Sequence, residues 1–238
     1  MKHAAFLIAA AAACGAAAPA FAELKPNDQA GNPVTLADLK TDEPRYYVGL
    51  HGGMNQLTEW PAKVRLGAPV IVDGAAQLKR GYAAGLVIGR QREHTRVELE
   101  YQQGNFRLKG LELGAVAEPF AGEKGRYRAL TLNGMLTGQI TQRWNAYGGL
   151  GIGIGRVDLP AGAFSSGCDC FPKASGNGFV WLARLGTEYQ FDWQGNHRAF
   201  LQYTWLNMRG PSTSGPTGID YERKGFGALT VGYRYMFD

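Results

Sequence analysis

Charged residues fall on every second position in several stretches of this chain. Arg96, Glu98 and Glu100 do so in R-V-E-L-E, Arg184 and Glu188 in R-L-G-T-E, and Arg234 in G-Y-R-Y. A period of two puts such residues on one face of an extended strand. Opposite charges on one face do one of two things there. They neutralise each other as a salt-bridge plug, or they line a path for ions. The other groups able to do chemistry are scattered. After residue 22 the histidines are His51, His94 and His197, and the cysteines form one C-x-C, Cys168-Asp169-Cys170. Nucleophilic catalysis needs a nucleophile, a base and an orienting group that converge. No spacing here brings a serine to His51, and His94 and His197 fall in short turns, so we expect no enzyme. A lone C-x-C without a nearby histidine is weak for zinc. It reads as a local disulfide or a link between chains in an oxidising compartment. No motif calls for a metal or a cofactor.

The elements that carry these charges share one design. The final stretch, G-F-G-A-L-T-V-G-Y-R-Y-M-F, sets Leu229, Val231, Tyr233, Tyr235 and Phe237 on one face. Ala228, Thr230, Gly232, Arg234 and Met236 form the other. Seven earlier stretches repeat the contrast, at about 45–55, 79–90, 95–106, 126–137, 144–157, 179–191 and 198–209. In each, one face is apolar and the other is small, polar or charged. Lengths near ten residues suit strands tilted across ~25 Å of hydrocarbon. The joins alternate: roughly 23, 19, 21 and 15 residues in the long ones, and about four to six at 91–94, 138–143 and 192–197, the rhythm of outer-membrane barrels. Aromatics on the apolar face gather at the short-turn end, among them Tyr46, Trp144, Tyr189, Phe191, Tyr233, Tyr235 and Phe237.

The start of the chain supplies the route. Met1-Lys2-His3 is a basic head, 4–18 is alanine-rich, and Ala20-Phe21-Ala22 is a small-x-small cleavage pattern. Residues 1–22 therefore read as a signal peptide. Residues 23–44 are polar and broken by proline, and read as a flexible periplasmic lead. Residues 45–238 are the barrel domain. No later apolar run approaches the ~18 residues of a helical span.

Composition agrees. Glycine makes up 34 of 238 residues, about twice the usual share, and suits a crowded barrel interior. The net charge is +5, and removing Lys2 with the signal leaves 24 basic against 20 acidic residues, or +4. This mild excess on an exported chain is no nucleic-acid signature, but it can attract anionic headgroups.

On these motifs the chain resembles the eight-stranded outer-membrane barrel family that includes the opacity proteins and the barrel domains of OmpA and OmpX. R-Y-Y-V-G-L, R-V-E-L-E-Y, N-A-Y-G-G-L-G-I-G and V-G-Y-R-Y-M-F carry the resemblance, which covers roughly residues 45–238. It implies an all-β fold, a transmembrane eight-stranded antiparallel up-and-down barrel in the bacterial outer membrane. It also implies insertion by the barrel-assembly machinery, which reads a terminal aromatic, although here Asp238 follows Phe237. A monomer is expected. Its expected function is non-catalytic: four external loops displayed for contact with a surface ligand or for envelope integrity. The alternative is a narrow porin-like channel for small solutes.

Two residue sets follow. Arg96, Glu98, Glu100, Arg184, Glu188 and Arg234, with His51, form the expected lumen charge network, and the narrowness of eight strands favours a plug over an ion path. Arg80, Arg126, Arg128, Arg156, Arg209 and Arg223 fall on the outward parity near the long-loop end. They are either interfacial anchors or a ring that contacts lipopolysaccharide phosphates.

Overall fold

The computed structural model describes residues 44–67, 70–113, 116–119, 124–160, 173–213 and 217–237. The expected signal peptide, residues 23–43 of the expected lead 23–44, and the Cys168–Cys170 pair lie outside the described residues.

Alternation becomes strand throughout. Twelve strands follow one another: β1 (Arg45–Asn55), β2 (Glu59–Gly67), β3 (Val70–Lys79), β4 (Tyr82–Arg92), β5 (Thr95–Leu113), β6 (Val116–Pro119), β7 (Lys124–Gln139), β8 (Trp144–Leu159), β9 (Ala174–Gln190), β10 (His197–Met208), β11 (Thr217–Tyr221) and β12 (Lys224–Phe237). Eight of them close a ring in the order β1, β4, β5, β7, β8, β9, β10, β12 and back to β1. Every pairing is antiparallel, and the seam joins β1 to β12 from Tyr46↔Phe237 to Asn55↔Ala228. Closure matters because hydrocarbon offers backbone N–H and C=O groups no partner, and a closed ring leaves no unpaired edge within it.

The outer wall is apolar on every strand. Val48 and Leu50, Leu86 and Ile88, Val97 and Leu99, Leu130 and Leu132, Ile152 and Ile154, Trp181 and Leu185, Leu201, and Leu229 and Val231 are all exposed. So continuous an apolar band is stable only against lipid. At the short-turn end it finishes in contacting rings: Tyr46 with Phe237 (6.3 Å), Trp144 with Tyr189 (5.1 Å) and Tyr189 with Phe191 (5.4 Å). These form the interfacial girdle at that end.

The long-loop end differs from the sequence reading. The first long join was expected as a loop, yet it folds as the β2–β3 hairpin, and β5 runs seven residues beyond its expected end at 106 to pair with β3 and β6. β11, in the last long join, pairs with β2. The sheet therefore continues past the ring as β11-β2-β3-β5, with β6 on the other flank of β5. Side-chain bonds fasten it. Trp60 Nε1 donates to Glu222 O (2.6 Å), Arg65 pairs with Asp220 (3.1 Å), and Asn55 Nδ2 donates to Asn105 O (2.7 Å) where the hairpin leaves the ring.

The inner face also departs from expectation. A polar, glycine-rich lumen was expected along its length. The half nearer the long loops is instead an apolar core. Phe106, Tyr127, Val157, Val180, Leu182, Leu206, Met208 and Phe226 point inward from the ring. Leu57 from the β1–β2 join, and Trp60, Ala62, Val64, Ala76, Leu78 and Ile219 from the added strands, close over them. Trp60 stands 6.1 Å from Phe106, and Tyr127 meets Phe226 edge-on at 5.0 Å. The physical reason lies in the added strands: they alternate too, and their apolar face must be buried somewhere. Burying such side chains contributes about 1.5–3 kcal/mol each.

Candidate functional site

The charged set sits below that core, towards the short-turn end. β5 supplies Arg96, Glu98 and Glu100; β9 supplies Arg184 and Glu188; β12 supplies Arg234; and β1 supplies His51. All are buried inside the ring. Inward parity fixes this outcome, because the opposite face of each strand is given to lipid. Two residues complete the set that the sequence reading did not include in it: Arg198 at the start of β10 and Tyr47 on β1.

Glu188 is the hub of one half. It accepts from Arg96 Nη2 (2.8 and 3.0 Å), Arg198 Nη1 (2.7 Å) and Arg234 Nη1 (2.7 Å). Glu98 links the halves, accepting from Arg234 Nη2 (3.1 Å), Arg184 Nη1 (3.1 Å) and the Tyr47 hydroxyl (2.6 Å). Glu100 takes Arg184 Nη2, Asn133 Nδ2 (3.1 Å) and His51 Nε2 (2.9 Å). Arg184 Nε is spent on Thr204 (3.1 Å). Four guanidiniums thus face three carboxylates, one positive charge in excess if His51 is neutral.

Ring faces offset part of that excess. Arg234 lies 4.1 Å from the Phe200 centroid and 5.0 Å from that of Tyr147, and Arg96 lies 5.1 Å from Tyr147 and 5.5 Å from Tyr47. An aromatic face attracts a guanidinium most strongly where water is excluded. Room for these rings comes from glycine. A β-carbon at Gly89 would stand 2.3 Å from the Tyr47 ring, and one at Gly186 would stand 2.5 Å from that of Tyr147. The inward glycines therefore act as recesses in the wall into which the rings lie flat.

Above the ions comes a band of uncharged polar groups. It includes Gln102, Thr131, Gln202, Thr204 and Thr230, and Tyr147 donates to Gln202 (3.0 Å). Read along the axis, the lumen is ionic, then polar, then apolar. Each layer is filled with side chains.

The other chemistry-bearing residues do not converge. His51 is buried on Glu100, and its ring stands 6.3 Å from Phe200. His94 is exposed in the β4–β5 turn beside Glu93, which holds a left-handed backbone (φ 44°), and His197 bonds Tyr233 at the membrane edge. Among the described residues no group of three His, Cys, Asp or Glu could hold a metal ion.

The six rim arginines are all exposed but do not form one ring. Arg128 on β7 faces Arg156 on β8 in register, with Arg126 one pleat further out opposite Asp158. Arg80 stands in the short join between β3 and β4. Arg223 Nη1 donates to Asn207 Oδ1 (3.0 Å) and Phe179 O (3.4 Å). Arg209 follows the end of β10, and its stem lies over the β-carbon position of Gly178, on the inward parity of β9. It thus leaves the outward row expected for it, because β10 has ended and the chain turns in towards Pro211 and Ser212.

No family model matches the chain, and no curated protein matches it. Solved structures do. The outer membrane protein OprG from Pseudomonas aeruginosa is similar at 15% identity over 81% of this chain and 95% of its own, with a TM-score of 0.62. Neisserial surface protein A gives 13%, 81%, 97% and 0.48. The Escherichia coli outer membrane protease OmpT gives 10%, 81%, 97% and 0.45. Identity this low speaks of fold alone. That fold is the bacterial outer-membrane β-barrel, and the apolar band around a closed ring belongs in that bilayer.

Proposed function

We propose that this outer-membrane barrel is a closed, non-catalytic one whose work is done by the sheet it presents outside the membrane. The observation that carries the reading is the continuity of the interior. The inward faces of β2, β3 and β11 belong to the same apolar core as the upper lumen. Beneath that core lie the band of uncharged polar groups and then the four-arginine, three-glutamate network. Such a core supports an anchoring role, since it holds the external strands rigidly on the barrel. It also supports a shut lumen, since an ion crossing it would lose its hydration against leucine, valine and phenylalanine. The dispersed histidines support a non-catalytic reading, as among the described residues no base stands beside an oriented nucleophile.

The displayed face is mostly polar and mixed in charge, with Ile71 exposed among the charges. Glu59, Lys63, Arg65 and Asp73 point outward from β2 and β3, with Arg107 and Lys109 beside them on β5. A loop surface held by a rigid scaffold is where specificity for a partner is built. The test has two parts. Purified protein in planar bilayers is expected to stay silent, whereas steady, reproducible conductance steps would favour the narrow-channel reading. Binding to whole cells or envelope fractions is expected to be lost when residues 59–78 are replaced by a short turn that preserves heat-dependent gel migration. Binding that survives that deletion would refute display by the hairpin.

A further inference from the structure

The outer wall carries a second arrangement with its own chemistry. On the outward faces of the adjacent strands β5, β7 and β8, near the long-loop end, stand Arg107, Lys124, Arg126, Arg128 and Arg156. Among the described residues of these faces at that level, Asp158 is the acid, and it is taken by Arg156 Nε at 2.9 Å. Arg128 and Arg156 are direct cross-strand partners. Like charges placed opposite each other destabilise a sheet. Here they sit in register and exposed, without a carboxylate between them.

A groove runs down the wall from this pair. It is lined by Arg128 and Arg156 at the top, by Tyr101, Leu130 and Ile154 below, and by Gly155 and Gly178 on its β8–β9 side. Leu130 and Ile154 are themselves cross-strand partners, one pleat below the arginines. Two residues along a strand span about 7 Å, so the step from cation to hydrocarbon takes one headgroup's depth. Leu132 and Ile152 continue the apolar track beneath them. Cations at the top and hydrocarbon below are complementary to one kind of molecule: an acyl chain that ends in phosphate.

We propose that this groove binds a bisphosphorylated acyl glycolipid of the outer leaflet, the lipid A portion of lipopolysaccharide. Arg128 and Arg156 together take a phosphate, and Leu130, Ile154 and Tyr101 take the adjoining acyl chain. Arginine suits the role because its planar fork offers two parallel N–H donors to phosphate oxygens. The anion also gives Arg128 a countercharge and adds to the one that Asp158 gives Arg156. Arg126 and Lys124 stand on the same face further out, in reach of a second phosphate. Arg80 and Arg223 lie outside the groove. The site is independent of what the external sheet contacts, so the two readings can fail separately.

The test uses the full barrel refolded in detergent, titrated with bisphosphorylated lipid A, with the same lipid enzymatically dephosphorylated, and with phosphatidylglycerol. The double variant Arg128→Gln/Arg156→Gln is expected to lose about tenfold or more in affinity for lipid A, the scale of one charge-assisted bidentate contact. Arg80→Gln/Arg223→Gln is expected to change affinity less than about twofold, as a generic positive surface would not. Arg128→Lys/Arg156→Lys keeps the charge but not the fork, and is expected to fall between wild type and the glutamine pair. Wild-type protein is expected to bind dephosphorylated lipid and phosphatidylglycerol no better than the glutamine pair binds lipid A. Heat-dependent gel migration of each variant verifies folding, which these exposed positions do not control. Equal affinity of the glutamine pair and wild type would overturn the proposal. So would an equal loss in both double variants, or equal binding of dephosphorylated lipid by wild-type protein.

Discussion

Glu188→Gln is the most informative single change to the lumen. Its carboxylate holds three guanidiniums, those of Arg96, Arg198 and Arg234, at 2.7–2.8 Å, and is fully buried. Glutamine keeps the shape and one acceptor but removes the charge. Four guanidiniums would then face two carboxylates, and the buried excess would double from one positive charge to two. Breaking a buried ion pair by neutralising one partner costs about 3–5 kcal/mol, because the other charge stays desolvated. For a chain of this size each 1 kcal/mol lowers the unfolding midpoint by about 2–4 °C, so the expected loss is roughly 6–20 °C. The assay is thermal unfolding in detergent, followed by the change in gel migration and by far-UV circular dichroism. Glu93→Gln, at an exposed turn, is the control and is expected to leave the midpoint within about 1 °C. The decisive variant is Glu188→Gln/Arg198→Gln, which restores the original excess of one charge with three guanidiniums against two carboxylates. It is expected to recover part of the loss, since neighbouring charges couple. An unchanged midpoint for Glu188→Gln, or a double variant that is worse by the full sum of both single losses, would mean that water already screens these groups. The lumen would then not be a filled plug.

Three other outcomes follow from the packing. Gly186→Ala puts a methyl 2.5 Å from the Tyr147 ring and 2.9 Å from Leu201 O, and is expected to cost about 1–3 kcal/mol as overpacking. Gly134→Ala, whose β-carbon meets nothing within 4 Å, is expected to be neutral in the same unfolding assay; equal effects at the two sites would refute the recess argument. Trp60→Ala, which empties the centre of the outer core, is expected to cost about 3–5 kcal/mol locally. It should expose the β2–β3 hairpin to limited proteolysis while the ring still resists detergent, and unchanged protease resistance would count against the shared core.

Much of this architecture is legible because a lipid-facing strand cannot hide its parity. Leu130 and Leu132, or Ile152 and Ile154, mark the outward set, and Arg96, Glu98 and Glu100 fall inside by elimination. The network's membership is therefore mostly visible in the sequence, while its pairings are not, since these depend on which strands face each other across the lumen. Arg198 escaped because it opens β10 beside a turn, where parity is weakest. The apolar upper lumen escaped for a different reason. Leu182, Leu206 and Phe226 share the inward parity of the charges, and only the lid formed by Trp60 and Val64 explains why they can be apolar there. That lid did have a signal, the alternation of Trp60, Ala62, Val64 and Leu66 with Glu59, Lys63 and Arg65. Its place in a long join, within the long-short rhythm, made it read as a loop.

The covered hairpin bears on how the exposed part of this protein can change over time. A free loop drifts at every position, because few of its side chains touch the fold. In β2 and β3 each second position is committed to the core, from Trp60, Ala62 and Val64 to Ala76 and Leu78. Substitution there is felt by the barrel itself, at the scale of large-to-small core replacements. Free variation is thus confined to the alternate set, such as Glu59, Lys63 and Asp73. A one-residue insertion, harmless in a loop, would exchange the two sets and turn the hairpin's apolar side to water.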